Sequence, residues 1–251
     1  MATYDIYRAG ERYSASAIFT SAMLRLYGLV AAGIIITGIG AVFGDAMGIE
    51  RLIHGNGWIG FLLAFGFTIG MLLAANYVAQ RGHIGVGTAL YFAFTFTMGL
   101  FIAPRLALAP TAHILTAVVS AGAMFVAMSI VGYTTKRDLS GLGSMLTVCL
   151  LALVSVMFLN LFILGSGPLF ILLNLLLLPV FLGLTAWETK DIKQMAQEAA
   201  TNGDSHSAAK IAVVGSIGLY LNVLNLFLIA LNLLSFNPSS IGDAFGFFSG
   251  D

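Results

Sequence analysis

Charge is what this sequence has least of. Asp, Glu, Lys and Arg make up 9% of its 251 residues, where a soluble domain carries about a quarter. A chain so poor in charge cannot cover its surface with solvated groups. Apolar residues make up 59% of it and the mean hydropathy is +0.97, so most of its surface is expected to face lipid. The few charges cancel, eleven basic against eleven acidic, which argues against nucleic acid as a partner. Cysteine is nearly absent as well. Cys149 stands alone in an apolar run, without a partner for an internal disulfide or companions for a metal site, and reads as packing. There is no phosphate-cradling glycine loop with its lysine, no zinc-helix histidine pair and no serine elbow. Nor do the apolar segments cluster the Asp, Ser/His or His/Glu groups that catalysis inside a bilayer would need. The chain is therefore expected not to be an enzyme and to carry no cofactor.

What is present is a series of long apolar runs, each near the roughly 20 residues a spanning helix needs. They lie at about 26–44, 58–79, 84–103, 111–132, 142–164, 169–187 and 211–236. Trp58 sits where an interfacial aromatic belongs, and Pro104, Arg105 and Pro110 punctuate the connection after the third run. No Asp, Glu, Lys, Arg or His occurs from Leu139 to Trp187, too long a stretch for one helix, and Gly165-Ser166-Gly167-Pro168 divides it in two. The expected fold is all-α: a polytopic bundle of seven transmembrane helices over 26–236, with a cytoplasmic segment 1–25 and an external tail 237–251. The N-terminus does not read as a cleaved signal peptide, because Arg8, Glu11 and Arg12 precede a run long enough to span. Between the last two runs lies a polar connector, Glu188 to Lys210, in which the Gln194 to Ala209 segment reads as a cytoplasmic helix extension that breaks at Asn202-Gly203.

The basic residues orient this bundle. With the N-terminus in the cytoplasm, Arg8, Arg12, Arg25, Arg81, Lys136, Arg137, Lys190, Lys193 and Lys210 fall on the cytoplasmic side, and only Arg51 and Arg105 outside. Enrichment of Lys and Arg on the cytoplasmic side is the expected bias, and it works only for an odd number of spans.

Polar groups inside the spans are few. His113 lies near the outer end of the fourth, within reach of interfacial water. On the seventh, Gly215, Gly218, Asn222, Asn225 and Asn232 fall within an arc of about 100° at helical spacing, while Val213, Val214, Val223, Leu224 and Phe227 point elsewhere. Carboxamides facing lipid would lack partners, so this face packs on other helices or on water. Two readings stay open: amide glue between helices, or the wall of a path. Asn174, on the sixth span, lies within about 40° of Glu188 on the same helix face. Glu188 itself is either a solvated charge at the inner helix end or part of that path. Pro179 is a candidate kink in the same span. Gly40-x-x-x-Gly44 and Gly66-x-x-x-Gly70 match the small-residue contact motif, a cheap match in a chain with 29 glycines.

Three segments resemble the Bax inhibitor family, also called transmembrane Bax inhibitor motif proteins. They are Gly132-Tyr133-Thr134-Thr135-Lys136-Arg137-Asp138-Leu139-Ser140, the run Phe181 to Lys193 with Thr185-Ala186-Trp187-Glu188-Thr189-Lys190-Asp191 at its heart, and Leu219-Tyr220-Leu221-Asn222-Val223-Leu224-Asn225-Leu226-Phe227. Leu26-Tyr27-Gly28-Leu29 also fits, and the span layout agrees over about residues 20–236. The resemblance implies seven helices with the seventh at the centre. It also implies a pH-sensitive calcium leak, attributed in the family to paired carboxylates on spans six and seven. Those positions match Glu188 and Asn222, where the family usually has Asp at both, so this chain lacks one of the two charges. Two adjacent carboxylates titrate as a unit; a Glu beside an amide does not, and a cation there loses one anionic ligand.

The resulting expectation is a bacterial inner-membrane protein that passes calcium or other cations beside span seven. Glu188, Asn222, Asn225 and Asn174 would line the path, and Glu188 would be a transient calcium ligand. The amide of Asn222 is expected to donate to the Glu188 carboxylate. The alternative is a non-conducting partner of a membrane protease, working through residues 1–25 and the Glu188 to Lys210 segment. The charge bias tests the topology: a reporter fused after Asn237 should report an external location. A cytoplasmic signal there would remove one span from the count.

Overall fold

In the computed structural model the described residues are 2–48 and 57–236, with side chains from residue 15 onward except those of 57–61 and 64. The loop carrying Arg51, the side chains of Arg8, Arg12 and Trp58, and the tail 237–251 lie outside them. The described chain is all helix: α1 Ala2–Ala46, α2 Gly57–Gln80, α3 Ile84–Ala107, α4 Thr111–Thr134, α5 Ser140–Leu159, α6 Gly167–Thr201 and α7 Ser205–Leu234, with a short π-helical turn Asn160–Leu164 continuing α5. Among the described residues six helices are long and apolar enough to cross a membrane, and Phe65–Gln80 of α2 forms a shorter apolar helix. This is the expected all-α, polytopic membrane architecture.

Helix ends depart from the apolar runs in ways that backbone chemistry explains. Helix α3 continues through Pro104 to Ala107, so only Pro110 interrupts the chain there, as the residue preceding α4. Proline there removes one backbone bond to the preceding turn, which a membrane helix tolerates when neighbouring groups re-satisfy the freed carbonyl. Helix α6 likewise runs past the end of its apolar run, through Glu188 to Thr201 with Pro179 inside it. It stops where Gly203 adopts a positive φ of 70°, and α7 starts on Asp204, whose carboxylate accepts from the Ser207 amide at 2.9 Å.

The chain forms two compact units, Met1–Leu108 with Asp191–Tyr220, and Ala109–Lys190 with Leu221–Asp251. Helices α6 and α7 thus contribute residues to both. Helix α7 has the largest buried share of its apolar window, 50%, and α5 the smallest, 6%, which fits a last helix enclosed by others and a fifth helix coated by lipid.

In the first unit α1 and α3 touch backbone to backbone. Gly40 lies on the Phe96 carbonyl and Gly99, Gly99 on the backbone of Thr37 and Ala41, and Gly44 on Leu100 and Ala103. Helices in hydrocarbon gain no hydrophobic drive from meeting each other, so such close approach supplies the dispersion and packing that hold them. Of the two glycine motifs, this one is in contact, whereas among the described residues nothing lies within 4 Å of a Cβ at Gly66 or Gly70. Hydroxyls lock the same seam. The Thr37 Oγ1 lies 2.6 Å from the Tyr220 hydroxyl and within 2.8 and 3.0 Å of the Gly33 and Thr95 carbonyls. The Tyr91 hydroxyl donates to Leu29 O at 3.0 Å, passing over Gly33, where a Cβ would collide with it. Tyr91 and Phe94 both meet the Tyr220 ring edge-on at 5.8 Å.

A direct comparison tests the seam. Gly99→Leu should destabilise the purified protein by about 1–3 kcal/mol through overpacking, whereas Gly66→Leu should stay within about 0.5 kcal/mol. Equal losses in detergent melting curves would mean that the Gly40–Gly99 contact does not hold α1 to α3.

Candidate functional site

The second unit carries the residues singled out for function, and its packing begins with α4. That helix buries one stripe, Ala117, Ala121, Phe125, Ser129 and Gly132. At Gly132 the α4 backbone rests on the backbone of Ala186 in α6, with no room for a Cβ. Helix α5 meets α6 in the same manner: Gly143 lies under the indole of Trp187, and Gly183 faces Leu146. These contacts bring the first two motif segments together.

Their junction is electrostatic as well as steric. The Lys190 ammonium donates to the Arg137 carbonyl. The neighbouring Asp138 accepts from the Ser140 amide at 3.0 Å and from its hydroxyl at 2.5 Å, an Asx turn that starts α5. The bonds from Ser140, with Lys190 nearby, hold the Asp138 carboxyl below the usual carboxylate range. The connection between α4 and α5 is thus tied to α6 two residues beyond Glu188.

The third segment joins through that glutamate. Asn222 Nδ2 donates to Glu188 Oε2 at 2.9 Å, the donor and acceptor expected from the motif match. Asn222 is 3% exposed and Glu188 half-buried, so the pair is held inside the unit. The other amides divide differently. Asn174, 2% exposed, stays away from Glu188. Its Oδ1 accepts from Asn232 at 3.1 Å while its own Nδ2 donates to Phe170 O. Asn225 donates to Leu221 O within its own helix. Helices α6 and α7 are therefore bridged at two levels, set apart by ten residues of α7, or about 15 Å. Sharing a helix face with Glu188 was insufficient for Asn174 because 14 residues of α6 separate them, about 21 Å of rise.

No group of three or more His, Cys, Asp or Glu gathers among the described residues. Any cation held at Glu188 would be bound by one carboxylate and by neutral oxygens. Hydroxyls missed in the sequence matter here. Thr185 and Thr189, three residues before and one after Glu188 on α6, are fully buried, and Ser129 is buried on α4. Hydropathy rates Ser and Thr close to neutral, so only their spacing beside Gly132 and Glu188 could have raised them. His113 keeps a buried Nδ1 without a protein partner in the first turn of α4.

Comparison with known proteins agrees with this layout. A family model described as "Inhibitor of apoptosis-promoting Bax1" matches residues 20–239. The inner membrane protein YbhL of Escherichia coli K12 is 31% identical over 214 residues, 84% of this chain and 89% of that protein. An uncharacterized protein of Deinococcus radiodurans is 36% identical over 172 residues, 68% of this chain and 70% of its own. Rickettsia prowazekii RP147, also uncharacterized, is 29% identical over 217 residues, 84% and 88% of the two chains.

The amide bridges are open to a direct stability test. Asn222→Leu should cost about 1.5–3 kcal/mol, the range for a hydrogen bond to a charged group, toward the lower end because Glu188 keeps part of its hydration. Asn232→Leu, which breaks a neutral amide pair, should cost about 1 kcal/mol. A smaller loss for Asn222→Leu than for Asn232→Leu, in thermal unfolding of the detergent-solubilised protein, would contradict the charged character of the inner bridge.

Proposed function

The chain belongs to the Bax inhibitor family, and from that premise we propose that it is a bacterial inner-membrane protein through which cations, calcium foremost, leak down their gradient. Its N-terminus is cytoplasmic and its C-terminus external in this reading. The inner-membrane location draws on the likeness to YbhL. The observation that carries the proposal is the Glu188–Asn222 bridge: a half-buried carboxylate inside an apolar bundle, at the cytoplasmic end of a spanning helix, hydrogen-bonded across to the next helix. Ionisable groups in such positions are costly and mark ion paths. The carboxylate attracts a cation, and the Asn222 carbonyl oxygen supplies a neutral second ligand on the facing helix. With one carboxylate in place of two, a response to pH follows a single proton and lacks the coupled behaviour of a diacid.

Calcium uptake by liposomes under an imposed gradient tests this. Wild type should exceed empty vesicles, and Glu188→Gln should slow uptake about tenfold, corresponding to about 1.4 kcal/mol of lost cation stabilisation. Asn222→Asp creates two adjoining carboxylates that resist ionising together, so the pH at which its flux switches should move toward neutral. Superimposable flux–pH curves for wild type and Asn222→Asp would sink the sensor role of this pair. A wild-type rate equal to that of empty vesicles would favour a non-conducting partner of a membrane protease.

A further inference from the structure

Hydroxyls inside a helix ordinarily bond their own backbone one turn back. Thr185 does so toward Phe181 O at 2.7 Å, Thr134 toward Ile130 O at 2.7 Å and Thr116 toward Ala112 O at 2.8 Å. Two buried helical hydroxyls of the second unit do not. Ser129 of α4, 6% exposed, and Thr189 of α6, fully buried, keep Oγ and Oγ1 without any protein partner. Each lies three residues from the place where Gly132 meets Ala186, Ser129 before it on α4 and Thr189 after it on α6. At three-residue spacing both stay on the contacting faces, so they belong to the seam between these two helices. The remaining buried polar atoms without partners among the described residues, His113 Nδ1 and Ser235 Oγ, are also in the second unit; the first has none.

Burying an unsatisfied hydroxyl costs more than the bond it could have made, and an isosteric apolar residue would remove that cost. Internal water is the usual partner of such groups. We propose that the α4–α6 seam is hydrated, with one ordered water bonded to Ser129 Oγ and another to Thr189 Oγ1, on either side of the Gly132–Ala186 contact. The backbones touch at Gly132 and Ala186, and one hydroxyl lies to either side of that contact. The inner water lies one residue along α6 from Glu188. It hydrates the cytoplasmic end of the second unit from a side other than the amide face of α7. Its effect on conduction rests on the cation-leak reading above; the water site itself does not.

Thr189→Val replaces the hydroxyl by a methyl of the same shape and decides by the sign of a melting shift. If Thr189 Oγ1 binds water, Thr189→Val should lower the melting temperature of the purified full-length protein by about 2–4 °C. Thr189→Ser should then melt within about 1 °C of wild type, and Ser129→Ala should also melt lower. A Thr189→Val protein that melts at or above the wild-type temperature overturns the proposal, because the hydroxyl was then unsatisfied. So does a crystal structure with no density within hydrogen-bond distance of either hydroxyl. Calcium flux is the second reading: Thr189→Val should leak several-fold more slowly than wild type and Thr189→Ser at the wild-type rate. If the wild type does not leak, the cation reading fails while the melting series still decides the water site.

Discussion

Contact between bare backbones is the interaction on which this structure depends. A helix surrounded by lipid gains nothing from turning an apolar side chain toward another helix, since acyl chains serve it equally well. What lipid cannot match is the packing achieved when a missing Cβ lets two backbones meet. Gly40 and Gly99 do this between α1 and α3, Gly132 between α4 and α6, and Gly143 lets Trp187 lie flat on α5. Each contact fixes the position of a polar group. Gly33 opens the route by which Tyr91 reaches Leu29, and the Gly132 contact sets the height of α6 at which Glu188 and Lys190 find their partners.

Polar groups then add specificity. In water an amide pair or a hydroxyl pair contributes little; inside an apolar bundle the alternative is an unsatisfied group, so each pair selects one register of its two helices. Glu188 with Asn222 and Asn174 with Asn232 pin α6 to α7 at two heights, and Thr37 with Tyr220 ties α1 to α7 in the other unit. The two ends of the α7 motif thus serve different purposes. Tyr220 belongs to a hydroxyl and aromatic lock, and Asn222 to a charged bridge.

Much of this was legible in the residues. Apolar runs separated by Gly, Pro and charge marked every helix, because lipid thickness leaves the same signature in any sequence. The motif match led from Asn222 to Glu188, a contact between residues 34 apart that no periodicity could supply. Other features were not legible, each for a physical reason. Hydropathy senses where lipid ends, not where a helix ends, so α3 runs on through Pro104 and Arg105 to Ala107, past its apolar stretch. Gly40-x-x-x-Gly44 and Gly66-x-x-x-Gly70 are equivalent as patterns, and only the presence of α3 against the first separates them. Asn174 shares a face with Glu188 yet bonds Asn232, since a helical wheel records angle and ignores height. Ser129 and Thr189 look like neutral filler until their buried hydroxyls prove to have no protein partner.

The turn between α5 and α6 has a consequence for how the chain enters the membrane. Asn160 clasps Ser166 through both ends of its carboxamide, donating to Ser166 O at 3.0 Å and accepting from Ser166 N at 2.9 Å, while Gly165 closes the π turn with a φ of 61°. The hairpin it joins has no Asp, Glu, Lys, Arg or His from Leu139 to Trp187. Neither α5 nor the apolar part of α6 up to Trp187 therefore carries a charge that could arrest it midway or orient it alone, and the turn that joins them is a tiny neutral knuckle. Such a pair is suited to partition from the translocon sideways as one folded unit. Its direction is then dictated by the cations that flank it, Lys136 and Arg137 before and Lys190 after.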